Sequence, residues 1–284
     1  VTRLAPSPSC ALHLGNERTF LINWAIARTN GWRLIMRIEY LDGPRIKADA
    51  AAGALRTLRW LGLEWDDAPL TQSDDLEPYR RSLHALVSAR RAYSCTLSRA
   101  EIEQAASAPH AGEHELRYPP ELRPTTDDDR FRIEHEETNY RLVVPDRAIE
   151  IDDAFAGRVT HSPFDEVGDF VIWTKRGAPA YQLAVVVDDP RKGVTFVIRG
   201  DDLLPSAARQ MLIYEALHLT PPCFWHLPLV IGSDGRRLAK RHGDTRLDAY
   251  HAAGVAPERI IGLLARWSGI PLGGRESLSA QEFR

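Results

Sequence analysis

Two stretches far apart in the chain carry residue types suited to binding a phosphate chain. The first begins at His13, at the start of a predicted helix, and continues through Gly15 and Asn16. Gly15 lets a ligand approach the backbone closely, and the two polar side chains lie where helix N–H groups attract anions. The second is a cationic loop bounded by Gly235 and Gly243. Together, these features indicate a phosphate-binding site.

Each stretch also has an ordinary structural explanation. A histidine and an asparagine at a helix N-terminus can simply cap a core helix. A loop that contains Arg237, Lys240 and Arg241 is also typical of a solvated surface. Taken one at a time, the two stretches leave both interpretations open. Their joint occurrence favours the phosphate-binding site.

Charged residues at predicted strand ends are suited to binding an amino acid. Glu39 follows the predicted strand 32–38, and Arg199 lies near the end of the predicted strand 195–200. An arginine pairs with a carboxylate in a bidentate fork, and a carboxylate pairs with an ammonium group. Because the carboxyl ends of parallel strands form the ligand crevice of an α/β sheet, both residues are candidates for one site. The alternatives are an exposed strand end for Glu39 and an ordinary salt bridge for Arg199.

The first 39 residues predict a strand, a helix and a second strand that position these groups. Residues 2–5 form a short extended run that ends at two prolines, which exclude a continuing central strand. The helix is predicted from apolar residues on neighbouring turns, Phe20, Leu21, Trp24 and Ala27. Asn30 and Gly31 are typical of a left-handed helix cap. A right-handed crossover then brings the helix start and the end of the second strand to one edge of the sheet.

The rest of the chain alternates predicted helices and strands. Helices are predicted at residues 46–61, 76–90, 203–217, 246–253 and 257–267. Strands are predicted at residues 92–96, 131–133, 140–143, 170–173, 184–187, 195–200 and 226–231. The runs 170–173 and 184–187 are almost continuously apolar, which favours buried parallel strands. Prolines and acidic residues between 95 and 163 indicate loops and short strands inserted into a nucleotide-binding fold.

Composition restricts the class of protein. The 284 residues are 44% hydrophobic and 26% charged, as in ordinary globular proteins rather than disordered chains. No apolar run reaches the length of a membrane span, so no membrane partner is expected. The net charge of −3 means that an RNA partner needs a local basic face. Cys10, Cys95 and Cys223 form neither a disulfide framework nor a metal-ligand set, which favours a cytoplasmic location.

The two phosphate-binding stretches, in this order, resemble the ATP motifs of class I aminoacyl-tRNA synthetases, the His-x-Gly-His and Lys-Met-Ser-Lys-Ser types. Residues 3–8, 37–39 and 180–189 resemble the glutamate-specific branch of that family. The resemblance implies an α/β fold with a Rossmann-type nucleotide-binding parallel sheet, an inserted α+β domain and a C-terminal helical piece. The implied units are 1–94 and 164–236 for the catalytic halves, 95–163 for an acceptor-type RNA-binding insertion, and 237–284 for the lysine loop and a stem-contact-like helical region.

The resemblance also assigns roles to individual residues. It implies that glutamate is bound by Arg3, Ser7, Glu39, Tyr181 and Arg199. It implies that ATP, with Mg²⁺, is bound by His13, Gly15, Asn16 and Lys240, and that adenylation is promoted by His13, Asn16, Lys240 and Arg237. Adenylation depends chiefly on positioning and electrostatics, so no protein nucleophile is required.

Some positions depart from the family pattern or have a second explanation. Cys10 stands where the family usually has glycine, Arg237 replaces the first lysine of the loop, and Ala239 replaces its serine. A cation remains at both ends of the loop, so activity is still expected. Tyr181 lies in an otherwise apolar run and is also compatible with packing in the core.

Relatives of this size often carry a zinc knuckle in the insertion, and here its ligand pattern is incomplete. The resemblance places Cys95 and Tyr118 at two ligand positions, while Leu97 and Leu122 stand where the other two thiolates would be. Zinc in a structural site takes four nitrogen or sulfur donors. We therefore expect no zinc.

Three functions remain open at the level of the sequence. The first is ATP-dependent activation of glutamate and its transfer to queuosine in the anticodon loop of tRNA(Asp), which we expect because no sequence is left for an anticodon-binding region. The second is a truncated glutamyl-tRNA synthetase that charges tRNA(Glu). The third is a paralogue that binds RNA or glutamate without turnover, although such a binder has no need of an ATP loop. We expect a monomer.

Overall fold

The computed structural model describes residues 1–7, 12–39, 41, 48–105, 116–232, 234–235, 238 and 245–284. Assignments made above for Cys10, Arg237, Ala239 and Lys240 lie outside these residues. The strands, in chain order, are β1 (Thr2–Leu4), β2 (Leu34–Ile38), β3 (Leu70–Thr71), β4 (Ala92–Cys95), β5 (Asn139–Leu142), β6 (Ile149–Asp153), β7 (Gly157–His161), β8 (Val171–Thr174), β9 (Ala178–Pro179), β10 (Phe196–Gly200) and β11 (Cys223–Leu227). The helices are α1 (Leu14–Thr29), α2 (Ala48–Trp60), α3 (Glu77–Ser88), α4 (Arg99–Ala105), α5 (Pro163–Glu166), α6 (Tyr181–Arg191), α7 (Leu204–Ala216), α8 (Leu247–Ala252), α9 (Pro257–Trp267) and α10 (Ala280–Phe283).

Parallel strand pairs form the main sheet layer, as predicted. Strands β1, β2 and β3 pair in parallel, and so do β10 and β11. The backbone N–H of Phe196 donates to the carbonyl of Val1 at 3.1 Å, which places β10 beside β1. Helix α1 connects β1 to β2 and ends, as the sequence indicates, at a glycine in the left-handed region, Gly31 with φ of +64°. The chain therefore leaves β1 towards β2 on one side and has β10 on the other.

The point where β1 and β10 lie side by side is held together by one buried amide. The side-chain nitrogen of Asn23, in α1, donates to the carbonyls of Arg3 at 3.0 Å and Ile198 at 3.4 Å. Its oxygen accepts from the hydroxyl of Thr2 at 3.1 Å. Ligand crevices of open α/β sheets lie at such switch points, outside the carboxyl ends of the strands.

Two apolar cores lie on the two faces of β2. Leu34, Met36 and Ile38 belong to a core with α1, α2 and the C-terminal helices α9 and α10. Ile35 belongs to a second core with α3, α6 and α7. Alternate residues of a strand point to opposite faces, so this division follows from the strand geometry. Arg37 shares the face of Ile35 and is buried there, at 1% exposure.

The predicted strand at 184–187 is wrong, because these residues lie in helix α6. The segment from Leu183 to Val187 is buried throughout, and α6 packs against α3, α7 and β8. A helix covered on all sides needs no polar face. A short apolar run therefore fits a buried helix as well as a buried strand, and its spacing alone does not distinguish them.

The run at 170–173 does form a strand, but the predicted parallel pairing is wrong. Strand β8 pairs antiparallel with β5 and β9, in a sheet ordered β4-β5-β8-β9. Ile172 and Trp173 are both fully buried. The continuous apolar sequence thus reflects burial on both faces, which an antiparallel strand inside the molecule also reaches.

Two other predicted strands differ from those observed. The residues predicted as a strand at 131–133 do not form one: the first of them, Phe131, ends a 3₁₀ turn, Asp129–Phe131, which the side chain of Asp128 caps. The strand predicted at 226–231 lies earlier, at β11.

The antiparallel sheet contains strands from both sides of position 163, and the predicted domain limits stay predictions. Within the described residues, no helix is long and apolar enough to cross a membrane.

Replacing Asn23 with alanine removes the amide that joins β1 to β10. The change leaves buried backbone carbonyls without their donor, so we expect the free energy of unfolding to fall by about 1–3 kcal/mol. Denaturant unfolding measures this. The control is Asn30→Ala, since the Asn30 side chain is exposed and bonds only to its own helix. Equal losses for the two variants would contradict the role given to Asn23.

Candidate active site

A cavity of about 320 Å³ opens at the carboxyl ends of β1 and β10, beside the start of α1. Its lining includes every described residue to which the resemblance assigns a role, namely Arg3, Ser7, His13, Gly15, Asn16, Glu39, Tyr181 and Arg199. The wall also contains residues not singled out from the sequence, among them Thr19, Phe20, Asp202, Leu203, Leu229 and Leu238. Residues separated by almost 200 positions in the chain thus meet in one crevice.

His13 both caps helix α1 and lines the cavity. Its Nδ1 accepts from the backbone N–H of Gly15 at 3.1 Å, and its own N–H donates to Asn16 Oδ1 at 2.9 Å. Because Nδ1 accepts a hydrogen bond, the ring proton is assigned to Nε2. A Cβ on Gly15 would lie only 3.2 Å from ring atoms of His13. The capping and phosphate-binding explanations are therefore compatible, since the cap itself fixes the imidazole at the cavity wall.

The chain just after the second stretch is joined to the helix start by backbone pairing. His13 forms an antiparallel bridge with Arg246, and backbone hydrogen bonds of 3.0 Å flank this bridge on both sides. Leu238, within the stretch, lines the cavity beside Gly15. Lys240 and Arg237 lie outside the described residues, and their roles stay predictions. The described residues on either side of Lys240, Leu238 and Arg246, both lie beside the helix start that carries His13.

Glu39 is oriented by a buried ion cluster that the sequence did not reveal. The Arg37 guanidinium donates to Glu39 Oε1 at 3.0 Å and to the carboxylate of Asp189. Arg3 Nε lies 3.6 Å from Asp189 Oδ1. Burial alone would lower the pKa of Arg37, but the adjacent carboxylates of Asp189 and Glu39 raise it. A charged residue inside an apolar strand was the available signal, since such residues are rarely buried without a partner.

Arg199 is buried at the cavity wall and keeps unused hydrogen-bonding capacity. Its Nε donates to His226 Nε2 at 2.9 Å, and Nη2 approaches the carbonyl of Leu203 at 3.4 Å. Within the described part of the chain, Arg199 Nη1 and Arg3 Nε have no hydrogen-bond partner although both are buried. Burial lowers the pKa of Arg199, and the nearby charge of Arg3 lowers it further. A ligand carboxylate would satisfy these donors and offset the repulsion between the guanidinium groups.

Tyr181 and Ser7 complete the part of the wall assigned to the amino acid. Tyr181 is the first residue of α6 and is 37% exposed, so the alternative of packing in the core is wrong. The cavity thus presents two guanidinium groups, one carboxylate held by Arg37, and hydroxyl groups between them. This arrangement is complementary to a small molecule with an ammonium group and more than one carboxylate.

The four zinc-knuckle positions, Cys95, Leu97, Tyr118 and Leu122, lie at one apolar cluster. The Cys95 thiol lies 3.7 Å from the Tyr118 hydroxyl, which donates to the carbonyl of Leu122 at 3.2 Å. Leu97 and Leu122 pack against the same apolar cluster. Burial raises the pKa of Tyr118 to about 12, so its oxygen stays protonated near neutral pH. One thiol and one phenol do not satisfy the four-donor requirement of zinc.

Comparisons with known proteins give consistent results. The family described as "tRNA synthetases class I (E and Q), catalytic domain" matches residues 1–284. The glutamyl-Q tRNA(Asp) synthetases of Rhodopirellula baltica and Symbiobacterium thermophilum are 44% and 45% identical, over 95% and 94% of this chain and 85% and 86% of their own lengths. The glutamate–tRNA ligase of Heliobacterium modesticaldum is 38% identical over 99% of this chain and 59% of its own length.

The fold has a close counterpart among solved structures. The glutamate-tRNA synthetase of Elizabethkingia anophelis superimposes with a TM-score of 0.82 and 27% identity, covering 99% of this chain and 64% of that one. The α/β class, the parallel sheet and the antiparallel insert agree with this counterpart. The chain spans just under two thirds of the solved protein.

Purified protein is expected to contain far less than one zinc ion per chain, because leucines occupy two of the four ligand positions. Elemental analysis measures the zinc content directly. A chelator should leave the melting temperature unchanged, since the cluster around Tyr118 is held by apolar contacts and hydrogen bonds. Stoichiometric zinc would show that other residues of the insertion supply the ligands.

Proposed function

Since the chain belongs to the family of class I tRNA synthetases for glutamate and glutamine, we propose that it activates glutamate with ATP and transfers the glutamyl group to queuosine in the anticodon loop of tRNA(Asp). The family uses ATP to form an aminoacyl-adenylate, and we assign that step to the cavity at the carboxyl ends of β1 and β10. Glutamate and tRNA are the corresponding substrates. The protein is proposed to act as a cytoplasmic monomer.

The observation that carries the choice of glutamate is the unsatisfied guanidinium of Arg199. Its Nη1 is buried without a hydrogen-bond partner among the described residues, and Arg3 Nε has only the 3.6 Å ion pair with Asp189. Leaving a buried charged donor unpaired is costly, so a ligand that supplies a carboxylate at this position is strongly favoured. We assign the side-chain carboxylate of glutamate to Arg199 and Arg3, and its α-ammonium group to Glu39. Glutamine would present a neutral amide to the same arginines and leave their charge unpaired.

The remaining polar features suit the adenylation step. In that step, an α-carboxylate oxygen of glutamate attacks the α-phosphorus of ATP, and the bond to pyrophosphate breaks on the opposite side. We assign the triphosphate to the cavity wall at the start of α1, where His13 lines the cavity and Gly15 lets a ligand approach the backbone closely. Lys240 and Arg237 would stabilise the charge that develops on the departing pyrophosphate. Mg²⁺, when bound, would neutralise phosphate oxygens.

The choice of queuosine in tRNA(Asp) as acceptor is supported by the names and identities of the relatives. The glutamyl-Q tRNA(Asp) synthetases of Rhodopirellula and Symbiobacterium are 44% and 45% identical to this chain, which covers 85% and 86% of their lengths, whereas the glutamate–tRNA ligase of Heliobacterium is 38% identical and covered over 59%. The second candidate, charging of tRNA(Glu), is supported by the structural likeness to the Elizabethkingia enzyme. The third candidate, a paralogue that binds RNA or glutamate without catalysing a reaction, has no comparable support.

Incubation with ATP, labelled glutamate and purified tRNAs distinguishes the two acceptors. We expect label on tRNA(Asp) that contains queuosine, at the modified base, and none on an unmodified tRNA(Asp) transcript. Mass analysis of nuclease fragments locates the glutamyl group. Label at the 3′ end of tRNA(Glu) would instead support the second candidate.

Lys240→Ala tests the role of the loop in adenylation. Removing one electrostatic stabiliser of a transition state typically slows the reaction by about 10²–10³-fold. We expect a loss of this size in glutamate-dependent ATP–pyrophosphate exchange, with little change in the KM of glutamate, which binds to other residues. The control is Lys175→Ala, at an exposed lysine beyond β8. Unchanged exchange in Lys240→Ala would transfer the role to Arg237 or Arg241.

Arg199→Leu tests the basis of amino-acid selectivity. The wild type should activate glutamate in preference to glutamine. In the variant, we expect the ratio of kcat/KM for glutamate to kcat/KM for glutamine to fall by about 10–100-fold. Arg266→Leu, at an exposed arginine of α9, is the matched control. Equal use of glutamate and glutamine by the wild type would refute the assignment of Arg199.

A further inference from the structure

A buried histidine and a buried aspartate extend the contacts of Arg199 away from the cavity. Arg199 in β10 and His226 in β11 are direct partners in the parallel ladder. Arg199 Nε donates to His226 Nε2 at 2.9 Å, and His226 Nδ1 lies 2.6 Å from Asp153 Oδ2. The side chains of His226 and Asp153 are both fully buried. Neither residue lines the cavity.

The directions of these hydrogen bonds determine the tautomer of His226. The Arg199 Nε–H group is a donor, so His226 Nε2 must accept and carries no proton. The ring proton is then on Nδ1 and is donated to Asp153. Burial and the charge of Arg199 lower the pKa of His226 to about 4, which keeps the ring neutral near neutral pH. A second ring proton would point at the guanidinium and break the contact.

Asp153 is itself fixed by backbone donors at the turn between β6 and β7. Its carboxylate accepts from the N–H groups of Phe155 at 3.0 Å, Ala156 at 2.7 Å and His226 at 3.1 Å. Burial alone would raise the pKa of Asp153, but these donors and the His226 ring hold it below its ordinary value. The carboxylate is therefore a fixed anion, and its orientation is independent of any ligand.

The His226 contact is the shortest hydrogen bond that orients the Arg199 guanidinium. The bond from Nη2 to Leu203 is long, at 3.4 Å, and Nη1 has no partner in the described part of the chain. The guanidinium carbon lies 5.3 Å from the ring centre of Phe224, a contact that is compatible with several rotations about the side chain. Without an acceptor at Nε, the guanidinium would lose this shortest hydrogen bond.

We propose that Asp153 and His226 are positioning residues for glutamate, acting through Arg199. Asp153 selects the His226 tautomer that accepts from Arg199 Nε, and this bond directs the remaining N–H groups of the guanidinium towards the side-chain carboxylate. The inference rests on the proposed function, because it concerns how glutamate is recognised. It makes the hairpin β6–β7 a contributor to amino-acid recognition, although no hairpin residue touches the cavity.

Two substitutions at His226 separate positioning from packing. In His226→Gln the amide oxygen reaches the place of Nε2 and can still accept from Arg199. In His226→Asn the amide reaches only the place of Nδ1, so the bond to Asp153 is kept and the acceptor for Arg199 is lost. We expect His226→Asn to raise the KM of glutamate about 10-fold or more and to lower the preference for glutamate over glutamine. His226→Gln should stay within about 3-fold of the wild type, and the KM of ATP should not change in either variant.

Asp153→Asn provides an independent test with almost no change in shape. The asparagine nitrogen would donate to His226 Nδ1, which moves the ring proton to Nε2, where it opposes the donor of Arg199. We expect a rise in the KM of glutamate similar to that of His226→Asn. Nitrogen-15 NMR of the His226 ring should show the change of tautomer. Asp152→Asn is the control, since Asp152 is exposed and pairs only with Arg158 in the described structure.

The outcomes separate this inference from the proposed function. If the wild type shows glutamate-dependent exchange but all these variants keep its KM within about twofold, with only the melting temperature lowered, the positioning role is refuted and the cluster is structural. If the wild type shows no glutamate-dependent exchange, the proposed function fails, and the inference fails with it. A selective rise in the KM of glutamate, with the tautomer change in Asp153→Asn, supports the inference.

Discussion

The buried ion pair between Arg37 and Asp189 is the constraint on which the site depends. The two residues are 152 positions apart, and both are almost completely buried, so removing either one takes from the other its nearest buried counter-charge. Breaking such a pair costs about 3–5 kcal/mol. Because Arg37 belongs to β2 and Asp189 to α6, the pair fixes the helix against the sheet. The same carboxylate of Asp189 lies beside Arg3 in β1, so a third element of the fold contacts the pair.

This constraint explains how opposite charges can line one small cavity without neutralising each other. The second arm of Arg37 binds Glu39 and holds that carboxylate at the cavity wall. Arg199 is held in turn through His226. Both charges are therefore fixed at the cavity wall by separate partners before any ligand binds. Preorganised charges of this kind bind a zwitterion with little reorganisation, and they distinguish a carboxylate from an amide.

The parts of the fold that the sequence predicted are those in which local signals agree. The first strand, helix α1 and the glycine cap at Gly31 have propensity, spacing and turn chemistry pointing to one structure. The run at 184–187 had only apolar composition, which is equally consistent with a buried helix. The motif residues of the cavity were identified through the resemblance to class I synthetases. Asp153 and His226 were not, because their roles exist only once β10, β11 and the β6–β7 hairpin are assembled.

A crystal structure with a non-hydrolysable analogue of glutamyl-adenylate would show which groups of the cavity bind the amino acid. We expect the side-chain carboxylate of the bound glutamyl group to lie within hydrogen-bonding distance of Arg199, with its ammonium group at Glu39. The phosphate of the analogue should lie at the start of α1, near His13. A glutamyl group bound in the reverse orientation, with its side chain away from Arg199, or bound outside this cavity would contradict the roles given to Arg199 and Glu39.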